Sequence, residues 1–413
     1  MSKALFFFFF LIIVPFYCLA QEDAVDVYNR GVEALKQDRL DEAIDLLTRA
    51  LQLDPLDHLA YNNRGVAFKR KELWDRAIAD YTSALRIKPD YYFALANRGT
   101  ARYKMGDMDG ALQDLTEAAK QGKRESIIVT TLGLVRKEKG DFDQAIKDLK
   151  LATTLTKKNP RAFQALGEIY ESQKDFSKSL ESYRKAMETT ENRKDAATLQ
   201  AKITALGTAY AAELHKDGLQ SYREGNENKA IVFWNQALKV DPNFVPAMRD
   251  RGLTYNKLGK HKQAVEDFDA AIQKDASNSE LYRVRADAYY RLKQPDKALA
   301  DYSEALRLNK DDAIAYNNRG LVYHEQNDLD KALQDYSKAL SIDSTNSVFF
   351  ENRGLAYAAK GDRKNAAADY RQALKLTNEE TRRALLEEKI SGIAQNSDSE
   401  KPEKPGPEGS QRR

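Results

Sequence analysis

The stretch 61-YNNRG-65 returns unchanged as 316-YNNRG-320. Shorter forms of it stand at 96-ANRG-99 and 351-ENRG-354. A string that comes back in phase marks an internal repeat, and the length of its period decides the fold. A period of 34 residues aligns five repeats beginning at Ala24, His58, Tyr92, Ser126 and Pro160. Five more begin at Ala211, Val245, Ser279, Ala313 and Ser347.

Within this register a few positions hold their chemistry. Position 8 is glycine in nine repeats and Ala286 in the eighth. Position 20 is small throughout, and position 27 is alanine in all ten, from Ala50 to Ala373. Position 24 is large, as in Tyr81, Tyr183, Trp234, Phe268 and Tyr302. Residues three and four apart lie on one helical face, so positions 20, 24 and 27 share a stripe. Small residues at 8 and 20 let two helices approach, and large ones at 24 and 11 fill the space between repeats. Segments such as 106-GDMD-109 and 140-GDFD-143 supply a turn and an N-cap between the two helices.

This pattern resembles the tetratricopeptide-repeat family, over about residues 24–380. The resemblance implies an all-α fold: a tetratricopeptide-repeat α-solenoid, a right-handed superhelix of helix-turn-helix pairs. It implies a scaffold that binds proteins or extended peptide segments along a concave groove. Departures occur at position 11, where Arg102 and Ser221 replace the aromatic, and repeat four is thin in aromatics. Members that clamp chaperone C-termini need lysine at position 5 and asparagine at 9. Tyr28 and Val32 stand there in the first repeat, and no other repeat supplies the set.

The array is interrupted once. Residues 24–193 hold the first five repeats and 211–380 the second five. Between them, 194–210 is helix-favouring and half a repeat long. The simplest arrangement fuses it to the first helix of repeat six, as one helix from about Asp195 to Tyr222, at a point where the array bends or flexes. Residues 381–394 read as a capping helix over the last open face. Residues 395–413, polar and proline-rich, read as a disordered tail.

The N-terminus is an address. Lys3 precedes an apolar run from Ala4 to Val14, then Pro15 and the small residues Cys18 and Ala20. This is the layout of a secretory signal peptide over residues 1–20, cleaved after Ala20. Export to a periplasmic or secreted location is the expectation. An uncleaved signal-anchor is the alternative, and would make the chain a membrane-tethered assembly factor. No other long apolar stretch exists.

Composition narrows the function. Lys and Arg total 66 against 63 Asp and Glu, a net charge of +3, with the two signs interleaved. Nucleic acid asks for a clustered basic face, which 120-KQGKRE-125 is too short to make. The single cysteine, Cys18, lies in the export segment, and the four histidines are never spaced as a ligand pair. No Gly-rich phosphate loop, nucleophile elbow or H-E-x-x-H motif appears. The sequence therefore points away from an enzyme, a metal, a cofactor and a small-molecule substrate.

Two internal patterns bear on binding. Position 6 is asparagine in five repeats: Asn29, Asn63, Asn97, Asn318 and Asn352. The family resemblance places this position on the concave groove, where an amide both donates to and accepts from a peptide backbone. Repeats four to eight break the row with Thr131, Ala165, Lys216, Asp250 and Val284. The alternative is local pairing or capping at the surface.

Position 7 is arginine in seven repeats and position 23 aspartate in seven. Both occur together in six: Arg64 with Asp80, Arg98 with Asp114, Arg251 with Asp267, Arg285 with Asp301, Arg319 with Asp335, and Arg353 with Asp369. A repeated ion pair between helices, within a repeat or between neighbours, is the reading. A row of arginines binding acidic partners is the alternative.

Overall fold

The computed structural model describes residues 23–121 and 125–398. Residues 1–20 of the expected export signal, residues 122–124 of the basic stretch and residues 399–413 of the expected tail lie outside the described residues. The described residues form twenty-one helices and no strand. Helices of 13 or 14 residues alternate almost throughout.

The chain divides into two compact units, residues 1–206 and 207–413. The first holds α1 (Ala24–Lys36), α2 (Leu40–Leu53), α3 (His58–Arg70), α4 (Trp74–Ile87), α5 (Tyr92–Met105), α6 (Met108–Lys120), α7 (Ser126–Glu138), α8 (Phe142–Leu155), α9 (Pro160–Ser172) and α10 (Phe176–Thr189). Each repeat is one pair, α1 with α2 through α9 with α10. The boundary falls within α11 (Arg193–Arg223), a single helix that runs through residues 194–210 and on into repeat six. The second unit continues with α12 (Glu227–Val240), α13 (Val245–Lys257), α14 (His261–Lys274), α15 (Ser279–Arg291), α16 (Pro295–Leu308), α17 (Ala313–Glu325), α18 (Leu329–Ile342), α19 (Ser347–Ala359), α20 (Arg363–Leu376) and α21 (Glu380–Asp398). Helix α21 runs four residues into the segment read from sequence as disordered.

The core is laid down repeat by repeat. In repeat two, a Cβ on Gly65 would lie 2.7 Å from the Tyr81 ring, and in repeat nine one on Gly320 would lie 2.8 Å from Tyr336. The missing side chain at position 8 is what lets the ring at 24 lie flat against its partner helix. Tyr81, Tyr302, Tyr336, Phe268 and Trp234 are all essentially inaccessible to solvent. The position-27 alanines beside them are at most 2% exposed.

The turn between the two helices of a repeat has one geometry in all ten. Position 15 adopts positive φ at Asp38, Glu72, Gly106, Gly140, Lys174, Gly225, Gly259, Lys293, Asn327 and Gly361. Half of these are not glycine, so the fold holds five side chains in the left-handed region against their preference. The next residue caps the second helix where it can. Asp107 accepts from the Gly110 amide at 2.9 Å, and Asp362 from Asn365 at 3.1 Å.

Candidate functional site

All six arginine–aspartate pairs form, each within its own repeat. Nε and Nη2 of Arg64 donate to the two carboxylate oxygens of Asp80 at 2.8 and 2.7 Å. Arg98–Asp114, Arg251–Asp267, Arg285–Asp301, Arg319–Asp335 and Arg353–Asp369 repeat the same two-pronged geometry. The aspartates are 2–7% exposed.

The remaining nitrogen, Nη1, reaches back to position 25 of the preceding repeat. The acceptors are Thr48, Thr82, Asn235, Asp269, Ser303 and Ser337. Each guanidinium therefore joins its own two helices and ties them to the repeat before. Aromatic rings close on it as well: Arg319 lies 5.7 Å from the Tyr316 ring and 6.0 Å from Tyr323. Hydrogen bonding to Asp335 raises the Arg319 pKa further, so the charge is permanent. In these six arginines Nε, Nη1 and Nη2 all donate within the fold, and the side chains are largely buried.

Repeats three and four vary the device. Arg102, in place of the aromatic at position 11, adds a second donor to Asp114 at 2.8 Å. In repeat four position 7 is Leu132, and Arg136 at position 11 takes over the pairing, reaching Asp148 at 2.6 Å. In repeat three the lost ring is replaced by a further ion pair, and in repeat four by its arginine–aspartate pair.

The asparagines at position 6 form rungs between neighbouring repeats. Asn63 donates to the Tyr28 hydroxyl at 3.0 Å, and Asn97 to Asn62 Oδ1 at 3.2 Å. Asn352 donates to Asn317 at 2.8 Å, and Asn318 to Asp287 at 3.0 Å. Asn29, in repeat one, is exposed. The other four are half-buried, each with one amide hydrogen already committed. The sequence missed the position-5 partners, which run Tyr28, Asn62 and Asn317 and share no single residue type. The same rung survives in repeat seven in other chemistry, as His215 Nε2 meets Asp250 Oδ2 at 2.7 Å.

Beside the rungs lies a row that the sequence reading passed over. Position 2 is apolar and open to solvent at Val25, Leu59, Phe93 and Ile127, with exposures from 38% to 64%. Ile314 of repeat nine is 49% exposed. At about 100° per residue, positions 2, 6, 9 and 13 share one side of the first helix. The row is legible once the repeats are aligned, as four consecutive large apolar residues at a position the core does not use. Repeat five ends it with Arg161.

Repeat five is also bordered by α11. Leu199, Ile203 and Leu206 are buried, and Lys202 pairs with Glu171 at 2.7 Å. A cavity of about 510 Å³ lies there, with Gln164, Glu168 and Glu171 on one wall and Thr198 and Leu199 on the other. Among the described residues no cluster of three His, Cys, Asp or Glu side chains could hold a metal. Nor is any helix among them long and apolar enough to cross a membrane.

Comparison with known proteins bears on the repeats themselves. A family model described as "Tetratricopeptide repeat" matches residues 28–92 and 283–347. A second model of that description matches 250–278 and 349–380, and a "Tetratricopeptide repeat-like domain" matches 92–208. Among solved structures, the chain is similar to MamA, with 29% identity over 40% of this chain and 91% of that one, at a TM-score of 0.37. It is similar to yeast Tom70, with 14% identity over 91% and 96% of the two chains and a TM-score of 0.41. A thermophilic repeat protein of Thermus thermophilus shares 23% identity over 45% and 99%, at a TM-score of 0.38. No curated protein matches the chain.

Proposed function

As the chain belongs to the tetratricopeptide-repeat family, a family of protein-interaction scaffolds, we propose that it is a non-catalytic scaffold that docks extended polypeptide along the first helices of its repeats. The observation that carries this is the open apolar row Val25, Leu59, Phe93 and Ile127 beside half-exposed asparagine rungs. Apolar side chains left in solvent at the same place in four consecutive repeats give nothing to folding and offer area to a partner. The asparagines add directional contacts: Asn352 and Asn63 have one amide hydrogen tied laterally and a second left over. The row selects apolar side chains, and the amides take backbone groups whatever the sequence. The arginine–aspartate lattice holds the repeats in register so that the row stays aligned.

Peptide display against the purified protein tests this. Selected peptides should carry apolar residues in extended stretches. Leu59→Glu with Phe93→Glu, both at exposed positions, should weaken them by about tenfold or more without loss of helicity. Undiminished binding would remove the row from the account.

The same proposal places the scaffold outside the cytoplasm. Residues 1–20 carry the charge, apolar run and small residues of a cleaved export signal. N-terminal sequencing of the mature protein should find Gln21 first. A start at Met1 or Ser2 would favour the alternative, a tethered assembly factor.

A further inference from the structure

Five repeats place an aromatic ring at both position 4 and position 11. In four of them the position-7 arginine lies between the two rings: Arg64 between Tyr61 and Phe68, Arg285 between Tyr282 and Tyr289, Arg319 between Tyr316 and Tyr323, and Arg353 between Phe350 and Tyr357. Repeat five keeps both rings, Phe163 and Tyr170, and has no arginine. Position 7 is Leu166 and position 23 is Ser182. The third anchor is inverted too. Position 25 of the preceding repeat accepts from Nη1 wherever the pair exists, and here it is Lys150.

A cavity of about 300 Å³ occupies this place, lined by Phe163, Leu166, Tyr170, Ser182, Lys150 and Lys178 among others. Its floor is apolar: Leu166 is 4% exposed and Tyr170 is 7%. Its rim is cationic. Lys178 Nζ lies 5.5 Å from the centre of the Tyr170 ring and Lys150 Nζ lies 6.0 Å from it. Lys178 is already paired with Asp175 at 2.6 Å, and the nearby Glu181 with Lys185 at 2.6 Å. Lys150 is exposed and has no carboxylate partner among the described residues. Positions 4, 7 and 11 lie on the opposite side of the helix from positions 2, 6 and 9, so this cavity is separate from the apolar row.

We propose that this cavity is a second binding site, which takes the C-terminal residue of a polypeptide when that residue is aromatic. The arginine and aspartate that met between the rings have been replaced by Leu166 and Ser182, and the acceptor at position 25 by the cation Lys150, so the occupant is flat and anionic. The space suits one ring. The charge must sit within a few ångströms of that ring to meet Lys150. A C-terminal residue carries its ring and its carboxylate on the same Cα, whereas an internal acidic neighbour points its carboxylate elsewhere. The site rests on the reading of the chain as a polypeptide binder, and adds an end-specific anchor to it.

Fluorescence anisotropy on the full chain tests the assignment, using a labelled Gly-Ser peptide that ends in phenylalanine with a free carboxylate. It should bind saturably. The C-terminal amide, and an amidated peptide ending in Phe-Asp, should each bind about tenfold more weakly or worse, from loss of a charge-assisted contact. Leu166→Arg with Ser182→Asp rebuilds the pair that six repeats carry, sets a guanidinium between Phe163 and Tyr170 in place of the ligand's ring, and should abolish binding of the free acid. Lys150→Glu, at an exposed position, should erase the preference for acid over amide while leaving the fold intact. The Leu59→Glu, Phe93→Glu variant should bind this probe as the native chain does. No binding of the free acid, equal binding of acid and amide, or full binding by the Leu166→Arg, Ser182→Asp variant would each overturn the proposal. Loss of the probe only in the Leu59→Glu, Phe93→Glu variant would assign it to the row instead.

Discussion

Arg319 shows how much one side chain does here. It donates twice to Asp335 and once to Ser303 of the repeat before, and is flanked by two tyrosine rings. Removing it strands a carboxylate that is 5% exposed. Arg319→Leu should cost about 3 kcal/mol, most of it from that stranded charge. Arg319→Leu with Asp335→Ser copies repeat five, and should recover at least half of the loss in urea unfolding. A double variant no better than the single one would mean that the pair is not the source of the effect. Backbone strain gives a second case. Lys293 sits at φ 58° where five other repeats have glycine. Lys293→Gly should raise the melting temperature, since relief of the left-handed penalty, about 1 kcal/mol, outweighs the added freedom of the unfolded chain. A lowered melting temperature would contradict this. The spacing of arginine and aspartate was legible in the sequence, because both residue types recur at fixed positions. The position-25 acceptors and the position-15 geometry were not. Threonine, asparagine, aspartate and serine all serve as the acceptor, and five side-chain-bearing residues share one turn with glycine.

At the scale of elements, the terminal helix is the one held by charge. Glu351 accepts from Arg382 at 2.8 Å and Lys389 at 2.9 Å, both on α21. Burial alone would raise the Glu351 pKa, but the bonds to Lys389 and Arg382 outweigh it and hold it below the usual glutamate value. A depressed carboxylate pKa contributes stability that is complete above the unfolded value and is lost as pH falls through the folded one. The methyl signals of Leu386, an α21 residue fully buried against α20, should therefore shift toward exposed values between about pH 5 and pH 3. In Glu351→Gln that acid step should be absent. An identical step in both proteins would assign it to other carboxylates. Helix α11 runs unbroken over 31 residues, and its first half has no proline and favours helix throughout. The end of α21 was misjudged by a few residues, as its polar tail sequence carries no stop signal before Asp398.

Across the whole molecule, the repeated fold was readable from the spacing of small and large residues, and the family models agree with it. The binding face was half readable. The asparagine row was visible, but its lateral partners were not, because a rung joins position 6 of one repeat to position 5 of the repeat before, or to position 9 for Asn318, and those partners share no residue type. Those rungs take up one side of Asn63, Asn97, Asn318 and Asn352 and shift the weight of binding onto the apolar row beside them. Hydroxyl-radical footprinting with a display-selected peptide reads that row directly. Saturating peptide should suppress oxidation of Phe93 and Leu59, while Leu155 and Met105, equally exposed at other positions, keep their reactivity. Unchanged oxidation of Phe93 and Leu59 under saturating peptide would contradict the account.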